Sequence, residues 1–149
     1  MIQRIQSLFL FLAAASAFAL FGLPFASMPE PLAADVQSPI FADGVYNIMD
    51  HIGTMVLFGL AGALALVSIF LFNNRKLQMS LSRFAIIANI IGFILAIVLF
   101  FNERESMGAQ DPDDQLGVYL PILFIVFALL ALRFISKDEH LVKSMDRLR

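Results

Sequence analysis

Two long uncharged apolar runs, joined by a short basic segment, constrain this chain more than any other feature. Residues 52–72 and 84–101 carry no charge over 21 and 18 residues, and residues 73–83 between them hold Arg75, Lys76 and Arg83 with no acid. Crossing a hydrocarbon core takes roughly 20 mostly apolar residues, with roughly 17 as the lower limit. A soluble core helix shows a polar stripe at helical period, and neither run does. Lipid offers the backbone no hydrogen-bond partner, so a single span must be a helix. The middle of the chain therefore reads as a membrane-spanning helical hairpin. Its basic turn stays in the cytoplasm by the positive-inside bias.

The rest of the chain follows from that hairpin. Residues 8–25 are again uncharged, behind a start with one basic residue, Arg4. Ala17-Phe18-Ala19 resembles a signal-peptide cleavage triplet, but Leu20, Phe21, Leu23 and Phe25 continue the apolar run past it. The segment is therefore expected to be a retained first span. Residues 116–135 form the fourth, with Tyr119 near its outer end, Pro121 in its first turn and Arg133 at the far end, where it can snorkel. The expected fold is an all-α bundle of four transmembrane helices in one membrane domain, residues 1–149. Its spans lie at about 8–25, 52–72, 84–101 and 116–135, with a cytoplasmic loop at 73–83. Both termini are expected in the cytoplasm.

Charge supports this threading. Of ten Lys and Arg residues, nine fall on the side of residues 73–83, and nine of twelve Asp and Glu residues fall on the other. The basic count carries the argument, because acidic residues contribute little to orientation. The outer loop 26–51 is punctuated by Pro29, Pro31 and Pro39, and an amphipathic turn at 41–49 is expected to lie on the membrane surface with Tyr46 at headgroup level. The outer loop 102–115 is acidic, with a turn at Asp111-Pro112. The tail 136–149 reads as a short amphipathic helix. Ser136 and Glu139 have capping-box spacing, and Leu141, Val142, Met145 and Leu148 form an apolar stripe.

Composition narrows the chemistry. With 60% hydrophobic and 15% charged residues in 149, little chain is left for a soluble domain. There is no cysteine, hence no disulfide, thiolate ligand or thiol nucleophile. No ionisable residue lies between 8 and 25, 52 and 72, 84 and 101, or 116 and 132, which argues against a proton-coupled transporter acting alone, an intramembrane protease or a channel with a charged filter. Ser16 and Ser68 have no His or Lys at membrane depth to activate them. Asp50-His51 with Asp43 offers a sparse set of cation ligands. Asp111-Pro112-Asp113-Asp114 lacks the glycine and closing Glu of a calcium loop, so neither stretch reads as a metal site. No catalytic residue, cofactor or metal is expected, and no nucleic-acid partner.

The most polar residue well inside a span is Asn89, on one helical face with Ala85, Gly92 and Ala96. Small residues let helices approach closely, and a buried amide can hydrogen-bond across the contact. This face is expected to pack inside the bundle, against small residues offered by the first span (Ala13, Ala17) and the second (Gly59, Gly62, Ala63).

Three further stretches carry a resemblance. The start Met1-Ile2-Gln3-Arg4-Ile5-Gln6-Ser7, the turn Asn74-Arg75-Lys76-Leu77-Gln78 and the ending Lys137 to Arg149 resemble, end to end, a family of small four-span bacterial membrane proteins found chiefly in the Bacteroidota, domain of unknown function 4293. Ser7 departs from the family's more usual Thr. The family has no assigned activity, so the resemblance implies a fold and an inner-membrane location and leaves the activity open. All three stretches fall on the cytoplasmic side of the threading above. Gln3, Arg4, Gln6, Asn74, Arg75, Lys76, Gln78, Asp138, Glu139, Asp146 and Arg147 are thereby the candidate interaction residues, with Arg4, Arg75 and Lys76 placed to pair with Asp138, Glu139 and Asp146. The expected role is a non-catalytic accessory or assembly subunit that contacts the lipid bilayer and other inner-membrane proteins. The alternative is a small transporter or lipid-binding protein acting as an oligomer.

Overall fold

The computed structural model describes residues 2–28, 40–41, 43–104 and 112–146, with side chains from 5 to 142. Four helices dominate: α1 (Ile2–Ala19), α2 (Ile52–Phe70), α3 (Arg75–Arg104) and α4 (Leu120–Asp146). Each helix packs on the next and α4 closes back on α1, giving a ring whose thinnest seam is α3 against α4.

The buried positions explain the packing. They run Gln6, Leu10, Ala13, Ala17, Leu20 along α1 and just past its end; Thr54, Phe58, Ala61, Ala65, Ser68 on α2; Gln78, Ser82, Ala85, Asn89, Gly92, Ala96 on α3; and Pro121, Phe124, Ala128, Ala131, Ile135 on α4. In every helix the steps alternate between three and four residues, the spacing of a left-handed bundle. The stripe is made mainly of small and polar residues. The outward face carries the large apolar ones, among them Phe84, Ile87, Ile91, Ile94 and Val98 on α3 and Val56, Leu60, Val67 and Phe70 on α2. A chain dissolved in water places these two classes the other way round. Small residues inside and bulk outside let backbones approach while the surface meets lipid. Three of the helices are long and apolar enough to cross a membrane, and α1 adds a shorter apolar stretch, Ile5–Ala19. The fold is an all-α membrane bundle.

The small polar residues along these stripes are satisfied locally. Ser16, Ser68 and Ser82 donate to the carbonyls of Leu12, Leu64 and Gln78, each four residues back, at 2.8, 2.7 and 2.9 Å. Thr54 donates to the carbonyls of Ile48 and His51, tying the start of α2 to the loop before it.

Helix bounds differ from the apolar runs in three places. Helix α1 stops at Ala19, although the apolar run continues to Phe25. After a closing turn, in which Leu23 N–H donates to the Ala19 carbonyl, the backbone bonds elsewhere. Phe25 N–H donates to Tyr46, while the carbonyls of Phe25 and Pro24 accept from Gln115 and Gly117. Helix α3 begins at Arg75, so the polar segment after Asn74 is the first two turns of a 30-residue helix rather than a loop. Helix α4 runs without a break through Ser136 to Asp146, which overturns the separate tail helix. A capping box acts only where a helix starts, and the chain reaches Ser136 already helical.

One end of the bundle, hereafter the loop end, carries a small antiparallel sheet of β1 (Ala26–Ser27), β2 (Val45–Tyr46) and β3 (Asp113–Asp114) in the order β2-β1-β3. Ala26 is opposite Tyr46 on one side and Asp114 on the other. Beneath it Leu20, Phe25, Ile40, Phe41, Tyr46, Ile48 and Phe58 form a buried cluster. Phe25 and Tyr46 have ring centroids 5.4 Å apart, and Phe41 and Tyr46 5.8 Å. This corrects the expected surface turn at 41–49, because Phe41 and Tyr46 point into the bundle.

Candidate functional site

The opposite end, hereafter the turn end, gathers most of the candidate interaction residues that lie within the described chain. The α2–α3 connection is short. Asn74 N–H donates to the Leu71 carbonyl at 2.9 Å, and the Asn74 side-chain oxygen accepts from Leu77 N–H at 3.2 Å, capping α3. Arg75 and Lys76 then occupy the first turn of α3, where positive charge opposes the helix dipole. For Arg75 an acid on α4 offsets this: its guanidinium lies 3.1 Å from Asp138 Oδ2, with the two side chains 22% and 14% exposed. That oxygen receives no aligned hydrogen bond, so the contact is charge against charge. One of the expected pairings is thus present. The side chains of Gln3, Arg4 and Asp146, and all of Arg147, lie outside the described residues.

Gln6 and Gln78 differ from the expectation. Contact with a partner requires exposure, but both candidate interaction residues are buried. The signal was available, since each occupies the first position of its helix's alternating stripe. Gln78 Nε2 donates to the Ser68 carbonyl at 2.9 Å, while among the described residues Gln78 Oε1 and both amide atoms of Gln6 have no hydrogen-bond partner. Their level in the bundle follows from their neighbours. Leu10, Ala131 and Ile135 form a buried cluster, with Met79 packed against it. Gln6 is one turn from Leu10, Asp138 three residues beyond Ile135, and Gln78 next to Met79. Among the described residues, α1 and α3 therefore bring unpartnered amide atoms to the layer just beyond that cluster, and α4 adds the ion-paired Asp138. Beside it lies an open hollow of about 470 Å³ lined by Phe72, Asn73, Asn74, Arg75, Lys76 and Val142.

The face on α3 packs as its residue types dictate. Ala85 joins Ala13, Ala17, Ala61, Ala65 and Ala128 in one buried cluster. A Cβ at Gly92 would lie 3.2 Å from Leu57 Cβ, and one at Gly62 would lie 3.2 Å from Ala17 Cβ, so glycine permits both helix approaches. Asn89 Nδ2 donates to the Pro121 carbonyl of α4 at 3.0 Å, bridging the thin seam, and its Oδ1 has no partner among the described residues. Ala63 does not join this packing; it faces outward.

At the loop end Asp50 and His51 serve as caps. Asp50 accepts from Asn47 N–H, and His51 Nδ1 accepts from Gly53 N–H at 3.1 Å at the start of α2. Among the described residues no three His, Asp or Glu side chains come together as a metal-binding group. Burial, reinforced by the Asp43 charge and opposed by the Asn47 N–H, raises the Asp50 carboxyl above its ordinary range. Tyr46 donates its hydroxyl to the Ala96 carbonyl at 3.1 Å, and burial, then the Asp50 charge, push its pKa far up.

One feature had no sequence signal. Between α3 and the loop end lies an apolar cavity of about 170 Å³, bordered by Phe25, Tyr46, Phe93, Phe100 and Val118, with Asp114 at its edge. Its walls come from four separate stretches of chain, which only the folded loops bring together.

Comparison with known proteins adds one result. A family model described as a domain of unknown function (DUF4293) matches residues 2–148. No curated protein and no solved structure matches.

Proposed function

The chain belongs to the DUF4293 family, and on that premise we propose that it is a non-catalytic integral protein of a bacterial inner membrane, acting by contact as an accessory or assembly subunit of a larger complex. The observation that carries this reading is the interior. Ala85, Asn89 and Gly92, the face that would line a passage, pack on the chain's own helices. The bundle's centre is filled by alanine methyl groups, by Phe58 and Phe124, and by the Ser68 and Ser82 hydroxyls bonded to their own helices. A filled centre favours contact over the alternative of transport through the bundle.

In this reading the turn end faces the cytoplasm, because Arg75, Lys76, Arg83, Arg133 and Lys137 gather there. Its exposed residues, Asn73, Asn74 and Lys76, and the hollow beside them form the surface for a soluble or membrane partner.

Two measurements test the proposal. The chain has no cysteine, so a single introduced thiol reports its own location. Asn73→Cys should react with a membrane-impermeant maleimide only after spheroplasts are opened, and Asp113→Cys should react before. Mild-detergent extraction of the tagged protein, followed by native sizing and mass spectrometry, should then recover a stoichiometric larger complex. A monomer or homo-oligomer carrying only lipid would overturn the accessory-subunit reading.

A further inference from the structure

We infer that the loop-end cavity is a binding site for one phospholipid with a primary ammonium headgroup, its chain held by the cavity and its ammonium by Asp114. Three observations converge on this occupant.

The first is position. Ile97 and Phe101 border the cavity and belong to the outward face of α3, 39% and 56% exposed. That face meets lipid, so the cavity opens sideways beside α3 into the apolar layer.

The second is shape and size. The walls are aromatic and aliphatic, and the cavity measures about 170 Å³. Apolar cavities of about 150 Å³ stay dry and accept an apolar group the size of benzene. A segment of acyl chain fits that description, and water does not. The one polar side chain near the apolar wall, Tyr46, already gives its hydroxyl to the Ala96 carbonyl.

The third is charge. Asp114 stands at the cavity's edge on β3, at the bundle's end, beside Asp113. Both are exposed, and among the described residues neither side chain makes an ion pair or hydrogen bond. Apolar walls thus adjoin carboxylates that make no ion pair among the described residues. An ammonium headgroup complements them, and an anionic glycerol headgroup is repelled.

Delipidated protein in mild detergent, offered equal amounts of palmitoyl-oleoyl phosphatidylethanolamine and phosphatidylglycerol, tests this by native mass spectrometry. The ethanolamine lipid should be retained over the glycerol lipid by about threefold, the scale of one exposed ion pair. Asp114→Asn should bring the two lipids to parity. Val118→Phe, which fills the cavity, should reduce retention of both, and Ile97→Trp provides a second blocking variant at an outward position if Val118→Phe fails to fold. Equal retention of both lipids by the unaltered protein, a preference that survives Asp114→Asn, or retention unchanged in the folded blocking variant would each overturn the assignment. A dimer without lipid would also overturn it and place a second copy of the chain in the cavity.

Discussion

At the loop end of the bundle the backbone makes most of the joints, and at the turn end side chains make them. The loop end is stitched by paired strands and by main-chain bonds from Phe25 to Tyr46, Gln115 to Phe25 and Gly117 to Pro24, at 2.8, 2.9 and 2.9 Å. Aromatic rings fill the space beneath. Among the described residues the turn end has the Arg75–Asp138 pair, the capping Asn74 and a layer where buried amide atoms of Gln6 and Gln78 keep no hydrogen-bond partner. Buried polar atoms are normally paired, so amide atoms left unpaired inside the bundle make that layer weaker than the backbone-paired end. The loop end is closed by its own backbone, and the turn end is held by side chains.

The strongest way to break this contrast is at Gly117. A Cβ there would collide with the Pro24 carbonyl carbon and oxygen and lie 2.8 Å from the Leu23 carbonyl oxygen. Backbone atoms cannot move aside as a flexible side chain can. Gly117→Ala should therefore cost about 2–3 kcal/mol, seen as a lower thermal unfolding midpoint in detergent. It should also open the β1–β3 side of the sheet to proteolysis. An unchanged midpoint would mean that the backbone joint contributes little.

That joint also marks where the sequence stopped being informative. The hairpin was legible because length and absence of charge are enough to specify a span. The face of Ala85, Asn89, Gly92 and Ala96 was legible because small residues at helical spacing have one use in lipid, and all four are buried. The end of α1 was not. Leu20 to Phe25 continue the apolar run, and after a closing turn at Phe21 to Leu23 the backbone groups of Pro24 and Phe25 pair with residues about 20 and 90 positions away. Strands of two residues have no hydrophobic period to detect. Tyr46 misled for a related reason, since an amphipathic ring suits a headgroup layer as well as a buried site with one carbonyl acceptor. Ser136 and Glu139 have the spacing of a cap and lack the helix start that gives the spacing meaning.

At the turn end the sharper test is a double-mutant cycle on Arg75 and Asp138. Both groups are partly exposed, and the contact lacks an aligned hydrogen bond, so the coupling should be about 0.5 kcal/mol and should fall with salt. Arg75→Ala and Asp138→Ala should each increase protease cleavage after residue 138 in membranes, and the double variant should add little to either. Additive effects would remove the pair as a tie between α3 and α4 and leave the turn end looser still.

The smallest effect lies at the loop end and depends on pH. The Asp50 carboxyl is raised in the folded chain, first by burial and then by Asp43, despite the hydrogen bond from Asn47 N–H. A raised carboxylate pKa means the fold binds the proton more tightly than the unfolded chain does. The resulting stability is fully present below the unfolded value and is lost as pH rises through the folded one. The loop end should therefore be slightly firmer in mild acid than at neutral pH, by a fraction of the one exchanged proton's worth of linkage. Asp50→Asn keeps an acceptor for Asn47 N–H and removes the ionisation. Its unfolding midpoint should lose that acid-side gain while matching the unaltered protein at low pH. A gain that persists in Asp50→Asn would move the titration to another carboxylate and leave the backbone-closed end without a pH-sensitive joint at Asp50.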